Sequence, residues 1–150
     1  MTKNITPKNI ILYAEDDEDD RFLIEEAFAV YAERVEMICV NDGSEAISYL
    51  DSLAPFDPTP CLIILDINMP LLNGKETLKK IRRDDRFKDT PAILFTTSSS
   101  QSDKDFAKQN NAGFITKPID AMQMHLIADV FIQYCTEDIR KDITGKSNIN

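Results

Sequence analysis

The sequence lacks an excess of cations: Lys and Arg number 17 against 26 Asp and Glu, a formal charge of -9. Backbone contact to a polyanion needs clustered cations, so no nucleic-acid partner is expected. It also lacks any uncharged apolar run of about 18 residues, the length that crosses a bilayer. The opening stretch, MTKNITPKN, has no apolar centre of the kind a signal peptide carries. A cytoplasmic protein with no membrane partner is expected. Cysteine is scarce and odd in number. Cys39, Cys61 and Cys135 lie far apart in apolar surroundings, which argues against a disulfide framework or a metal knuckle and reads as three small buried hydrophobes. His125 is the only histidine, so a hydrolase triad has no support, and repeats of 20–50 residues are absent.

What is present is a globular composition, 43% hydrophobic and 29% charged, in 150 residues, which fits one domain with one real core. The segment Asn9 to Ala14 is a buried strand that opens into six acids, Glu15 to Asp20. A helix follows, with Leu23, Ala27 and Val30 on one stripe, Ile24, Phe28 and Tyr31 beside it, and Asp19 or Asp20 as its cap. Val35 to Val40 alternates as a second strand, and Ser44 to Leu53 reads as a short helix. Cys61 to Leu65 is apolar throughout, as suits a strand covered on both faces. Ala92 to Phe95 and Gly113 to Thr116 are the last two strands. Helices are expected up to about Arg83, from Asp103 to Asn111, and from about Asp120 with Met124, Ile127, Ala128, Phe131, Ile132 and Cys135 on one face. Five strands alternating with five helices predict an α/β fold, a doubly wound five-stranded parallel sheet. The tail after Cys135 reads as an exposed or frayed extension.

In such sheets a ligand site lies beyond the carboxyl ends of the strands. The first strand ends in Glu15 and Asp16, the third in Asp66, the fourth in Thr96 and the fifth in Lys117. Three carboxylates brought together either take up protons or bind a cation, and hard oxygen ligands favour magnesium or manganese. One carboxylate can then attack phosphorus while Lys117 and the metal neutralise the transferring oxygens and Thr96 donates a hydrogen bond. Asp17 to Asp20 read as caps and surface charge. They do not form an EF-hand, whose central glycine and terminal glutamate are missing.

Leu12 to Asp17 with Glu15 and Asp16, Leu65-Asp66 with Met69-Pro70 and Asn73-Gly74, Phe95-Thr96-Thr97-Ser98, and Phe114 with Lys117-Pro118 together resemble the receiver domain of two-component response regulators. The resemblance spans residues 9–135 and implies a flavodoxin-like receiver fold, with 136–150 a short C-terminal extension and no effector domain. It implies that Asp66 is the phosphoacceptor, supplied by a sensor histidine kinase or a histidine phosphotransfer protein. It implies Mg²⁺, with Mn²⁺ as a substitute, held by Glu15, Asp16, Asp66 and the backbone carbonyl of Asn68. Thr96 and Phe114 would be the switch pair, Lys117 would pair with the phosphoryl group, and Pro118 would follow it through a cis peptide bond. Phe114 has no hydroxyl, so its switching would rest on packing.

Asn68-Met69-Pro70, the Thr96-Thr97-Ser98 run and Ile81 to Lys88 are similar to the stand-alone receivers that serve bacteriophytochromes and related histidine kinases. Members of that subgroup often dimerise through the last helix, here around Phe131, so a homodimer joins an unidentified downstream protein among the expected partners. Catalysis would be limited to self-phosphorylation and hydrolysis of the resulting acyl phosphate. Two alternatives stand beside this reading. A magnesium-dependent aspartyl-phosphate phosphatase would want its nucleophile in a DxDGT pattern at the end of the first strand, where Glu15-Asp16-Asp17 offers neither the glycine nor the threonine. A receiver that binds partners without phosphorylation is disfavoured by the intact Asp66, Thr96 and Lys117.

Overall fold

The computed structural model describes residues 7–146. Five parallel strands, β1 (Asn9–Ala14), β2 (Val35–Val40), β3 (Leu62–Leu65), β4 (Ala92–Thr96) and β5 (Gly113–Thr116), lie in the order β2-β1-β3-β4-β5. The order reverses direction at β1 and β3. That reversal opens the crevice at their carboxyl ends in which doubly wound sheets hold ligands.

Helices cover both faces: α1 (Glu18–Phe28), α2 (Gly43–Ser52), α3 (Gly74–Arg83), α4 (Gln101–Gln109), α5 (Ala121–His125), α6 (Ile127–Ile132) and α7 (Glu137–Thr144). The strand period of two sorts the core into two halves. Ile11, Tyr13, Leu62, Ile64, Ile93 and Phe95 meet α1, α5, α6 and α7. Leu12, Ala14, Ile63, Leu65, Ala92 and Leu94 meet the side of α2, α3 and α4. Phe131 sits at the middle of the first half, edge-on to Phe95 and stacked on Phe28. Being fully buried, it cannot lie on a dimer surface; the outward residues of that segment are Leu126, Val130 and Tyr134.

Several local expectations change. Asp17, not Asp19 or Asp20, caps α1, its carboxylate accepting from the Asp20 backbone N–H at 3.0 Å. The last turn tightens into a 3₁₀ turn over Ala29–Tyr31, which leaves Val30 76% exposed instead of on the apolar stripe. The expected single last helix breaks at Leu126, whose N–H bonds Gln123 O three residues back; together with α7 in the extension, this makes seven α-helices among the described residues. No cis peptide bond occurs among the described residues, so Lys117-Pro118 is trans, the isomer favoured by about 0.5–1 kcal/mol for X-Pro. Cys135 is buried as expected, whereas Cys39 and Cys61 are only half-buried.

The extension is not frayed over its first part. Ile139 and Ile143, one helical turn apart, place α7 against the first core half, and Ile143 is buried. Arg34 donates to Asp142 at 2.5 Å and Asn9 donates to the same carboxylate at 2.6 Å. Gly145 ends the helix with φ 69°, a left-handed conformation that favours glycine, and its N–H closes on Lys141 O at 2.8 Å.

Candidate functional site

At the carboxyl edge of the sheet, β1 delivers Glu15 and β3 delivers Asp66, both buried, and β5 delivers Lys117, 9% exposed. Strand parity explains their meeting. Tyr13, Ile64 and Ile115 face the α1 side, and the residues two positions further on, Glu15, Asp66 and Lys117, converge over that side. The Lys117 ammonium donates to Glu15 Oε1 at 2.5 Å, to Asp20 Oδ2 at 2.9 Å and to Asp66 Oδ2 at 3.2 Å. It also stands 5.6 Å from the centre of the Phe95 ring. All three of its donors are used.

Glu15, Asp16 and Asp66 each offer a carboxylate oxygen, and the three atoms lie within 4.8 Å of one another. Asp16 is exposed, so the cluster opens to solvent on one side. With Asp20, four carboxylates face one ammonium. Burial, reinforced by Asp66, accordingly pushes the Glu15 carboxyl up to about 8, although Lys117 pulls the other way. The lysine shows the reciprocal effect: burial alone would lower it, but its bonds to Glu15 and Asp20 raise it above the ordinary lysine value. The donor set is hard oxygen with excess negative charge. That fits a small divalent cation, whose charge would offset the repulsion among the three carboxylates.

The loop after β3 presents Asp66. Asn68 N–H donates to Asp66 Oδ1 at 3.3 Å, and Ile67 O accepts from Gly74 N–H at 3.0 Å, folding the start of α3 back over the loop. A Cβ on Gly74 would come within 2.2 Å of Asp66 O, so the close approach requires glycine there. Leu71 takes φ 64° in the same turn and is 86% exposed.

Thr96 is fully buried, and its Oγ1 accepts from Ser98 N–H at 3.2 Å. Ser98 Oγ donates in turn to Asp103, which pairs with Lys75 of α3. Phe114 is opposite Leu94 in the sheet, hence on the same face as Thr96, and lies half-buried against the second core half. The structure thus gathers Glu15, Asp16, Asp66 and Lys117, with the Asn68 backbone at the Asp66 carboxylate and Thr96 on the neighbouring strand. The one histidine, His125, is exposed and takes no part.

Sequence reasoning missed two residues. Tyr13 is buried and its hydroxyl donates to Glu15 Oε1 at 3.2 Å, a contact signalled by its two-residue spacing from Glu15. Burial and the neighbouring Glu15 push that phenol above its ordinary value. Asp20 reads in the sequence as a cap or surface charge, but it turns inward to Lys117. Once Asp17 is the cap, Asp20 stands three residues on, at one helical turn.

Among known proteins, the response regulator receiver domain family matches residues 11–129. The response regulator Rcp1 of Synechocystis sp. is 31% identical over 105 residues, which is 69% of this chain and 71% of Rcp1. The crystal structure of the phosphorylated cyanobacterial phytochrome response regulator RcpA superposes with a TM-score of 0.78 at 30% identity, covering 86% of this chain and 94% of RcpA. The Mn²⁺-bound form of Rcp1 superposes with a TM-score of 0.74 at 27% identity, over 87% of this chain and 98% of that one. The chain therefore belongs to the response regulator receiver domain family of two-component signalling.

Proposed function

We propose that this receiver is a phosphorylation switch in which Asp66 takes a phosphoryl group from the phosphohistidine of a sensor histidine kinase or phosphotransfer protein. The observation that carries the reading is the position of Asp66: one carboxylate oxygen is bonded to Lys117, the other to the Asn68 N–H, and the Glu15 and Asp16 carboxylates are beside it. An Asp66 oxygen forms the new P–O bond as the P–N bond to the donor imidazole breaks, and the freed imidazole nitrogen keeps its electron pair and takes a proton from water. Hydrolysis returns the carboxylate and inorganic phosphate.

Glu15, Asp16, Asp66 and the Asn68 carbonyl would hold Mg²⁺ or Mn²⁺. When bound, the cation neutralises charge on the transferring oxygens. Lys117 supplies a second positive charge from a buried position, where it acts in a low dielectric. Thr96 leaves its bond to the Ser98 N–H and turns its hydroxyl to a phosphoryl oxygen. That rotation vacates space on the face it shares with Phe114, whose ring follows by packing.

The family likeness to phytochrome response regulators favours a phytochrome-type or related kinase as donor. The receiver itself, residues 9–135, is the signalling unit. A downstream protein or a second copy of the chain would meet the exposed face formed by Leu126, Val130 and Tyr134.

Incubation with Mg²⁺ and acetyl phosphate tests the reading. One phosphoryl group is expected in intact-mass spectra and none in Asp66→Asn. A parent protein that gains no mass, or a variant that gains as much, contradicts it.

A further inference from the structure

We propose that Asp20 is a positioning residue for Lys117, holding the ammonium over Asp66 when a cation has claimed the other carboxylates. The inference rests on the phosphoacceptor reading of Asp66 and adds a residue that the receiver motifs do not include. The motif residues account for two of the three Lys117 donors, those to Glu15 and Asp66. The third goes to Asp20 Oδ2 at 2.9 Å.

The six-acid run sorts itself by geometry. Glu15 and Asp16 end the strand and join Asp66 in the cation cluster; Asp17 caps α1; Glu18 and Asp19 face solvent. Asp20 is tied by its own backbone N–H to the cap carboxylate at 3.0 Å, which fixes it one turn into the helix. Its side chain is 27% exposed, but that of Lys117, its partner, is only 7% exposed. Asp20 is also outside the set of carboxylates that approach one another closely enough to share a cation.

That separation decides its role. A divalent cation bound to Glu15, Asp16 and Asp66 cancels most of the negative charge that attracts Lys117 and repels the ammonium directly. Of the three carboxylates that hold Lys117, Asp20 alone stays free of the cation. A charge-assisted bond to it keeps the ammonium in the site with two donors left for Glu15 and for an oxygen on Asp66. Without it, the flexible four-carbon stem would carry Lys117 toward water, since a lysine charge is strongly hydrated.

The test uses the full chain saturated with Mg²⁺. Proton–nitrogen NMR reads the Lys117 ammonium signal, assigned by its loss in Lys117→Met, because ammonium protons give a resolved signal only when hydrogen bonds slow their exchange. The parent should show it, Asp20→Ala should lose it, and Asp20→Glu should recover it. Calorimetry with Mg²⁺ alone should show the Kd weakened less than about fivefold in Asp20→Ala and far more in Asp16→Ala. Phosphorylation by acetyl phosphate at saturating Mg²⁺ should slow by about tenfold in Asp20→Ala. An ammonium signal absent from the parent or unchanged in Asp20→Ala, or a Mg²⁺ affinity damaged as in Asp16→Ala, overturns the proposal. A parent that accepts no phosphoryl group yet shows an Asp20-dependent ammonium signal sinks the phosphoacceptor reading and leaves the positioning role supported.

Discussion

Lys117 donates to Glu15 across 2.5 Å between the ends of β5 and β1, two strands that are not neighbours in the sheet. Both side chains are buried. The pair spans the crevice over β3 and β4 and closes the site around Asp66, so the charge balance of the crevice governs both its stability and its chemistry.

The first consequence is a pH dependence. Burial and Asp66 raise the Glu15 carboxyl from its ordinary 4.5 to about 8 in the metal-free fold. A raised folded-state value means the folded protein binds a proton more tightly than the unfolded chain does. The contribution to stability is complete below about 4.5 and is lost as pH climbs through about 8. Urea denaturation without metal should therefore show stability falling between pH 5 and 8 by about 1–3 kcal/mol, with Glu15→Gln flattening the slope and Mg²⁺ restoring stability at pH 8. A slope identical in Glu15→Gln would assign the pH dependence to other groups.

Gly74→Ala drives a methyl group to within 2.2 Å of Asp66 O. The loop that presents Asp66 must move or α3 must shift, at a cost of about 1–3 kcal/mol. Thermal unfolding and the acetyl phosphate reaction should both suffer in this variant. Full activity with a parental melting temperature would show that the contact relaxes freely.

Arg82 of α3 donates to four backbone carbonyls: those of Asn110 and Thr90 at 2.8 Å, and those of Phe87 and Asn111 at 3.1 Å. Its planar fork joins the end of α3 to the turns before β4 and β5. Lysine keeps the charge but cannot reach four acceptors in that geometry. Arg82→Lys should cost about 1–3 kcal/mol in urea denaturation while leaving phosphorylation of the folded fraction intact.

Ile143→Ala tests whether α7 is part of the fold. A buried isoleucine cut to alanine should cost about 2–4 kcal/mol, whereas a frayed tail would register nothing. Calorimetric melting of the variant distinguishes the two.

The strands were legible because a sheet covered on both faces turns its strands into short, nearly continuous apolar runs, and β1, β2 and β5 begin and end where the pattern places them. Glu15, Asp16, Asp66 and Lys117 were legible for a related reason, since each follows directly on a readable strand. Asp20 and Tyr13 were not. Asp20 depends on which of six consecutive acids caps α1: as the cap it would stand outside the helix, whereas with Asp17 as the cap it lies in the first turn, one turn before the buried Ile24. Tyr13 reads as an ordinary core aromatic until Glu15 is seen to fold back on its hydroxyl. The helix α7 escaped because two isoleucines are a weak periodic signal, and its hold on Asn9 and Arg34 is made across more than a hundred residues of chain. The break at Leu126 and the trans Lys117-Pro118 bond are backbone choices on which side-chain patterns are silent.

The central claim is that the carboxylate between Lys117 and the Asn68 N–H is the one that accepts phosphate. Borohydride reduces an aspartyl phosphate to homoserine and leaves ordinary carboxylates untouched, so the protein should be treated with acetyl phosphate and Mg²⁺, reduced and mapped by peptide mass spectrometry. Homoserine at position 66 alone, dependent on Mg²⁺, is the predicted result; homoserine at Glu15's neighbour Asp16, at Asp20 or at no aspartate would contradict it.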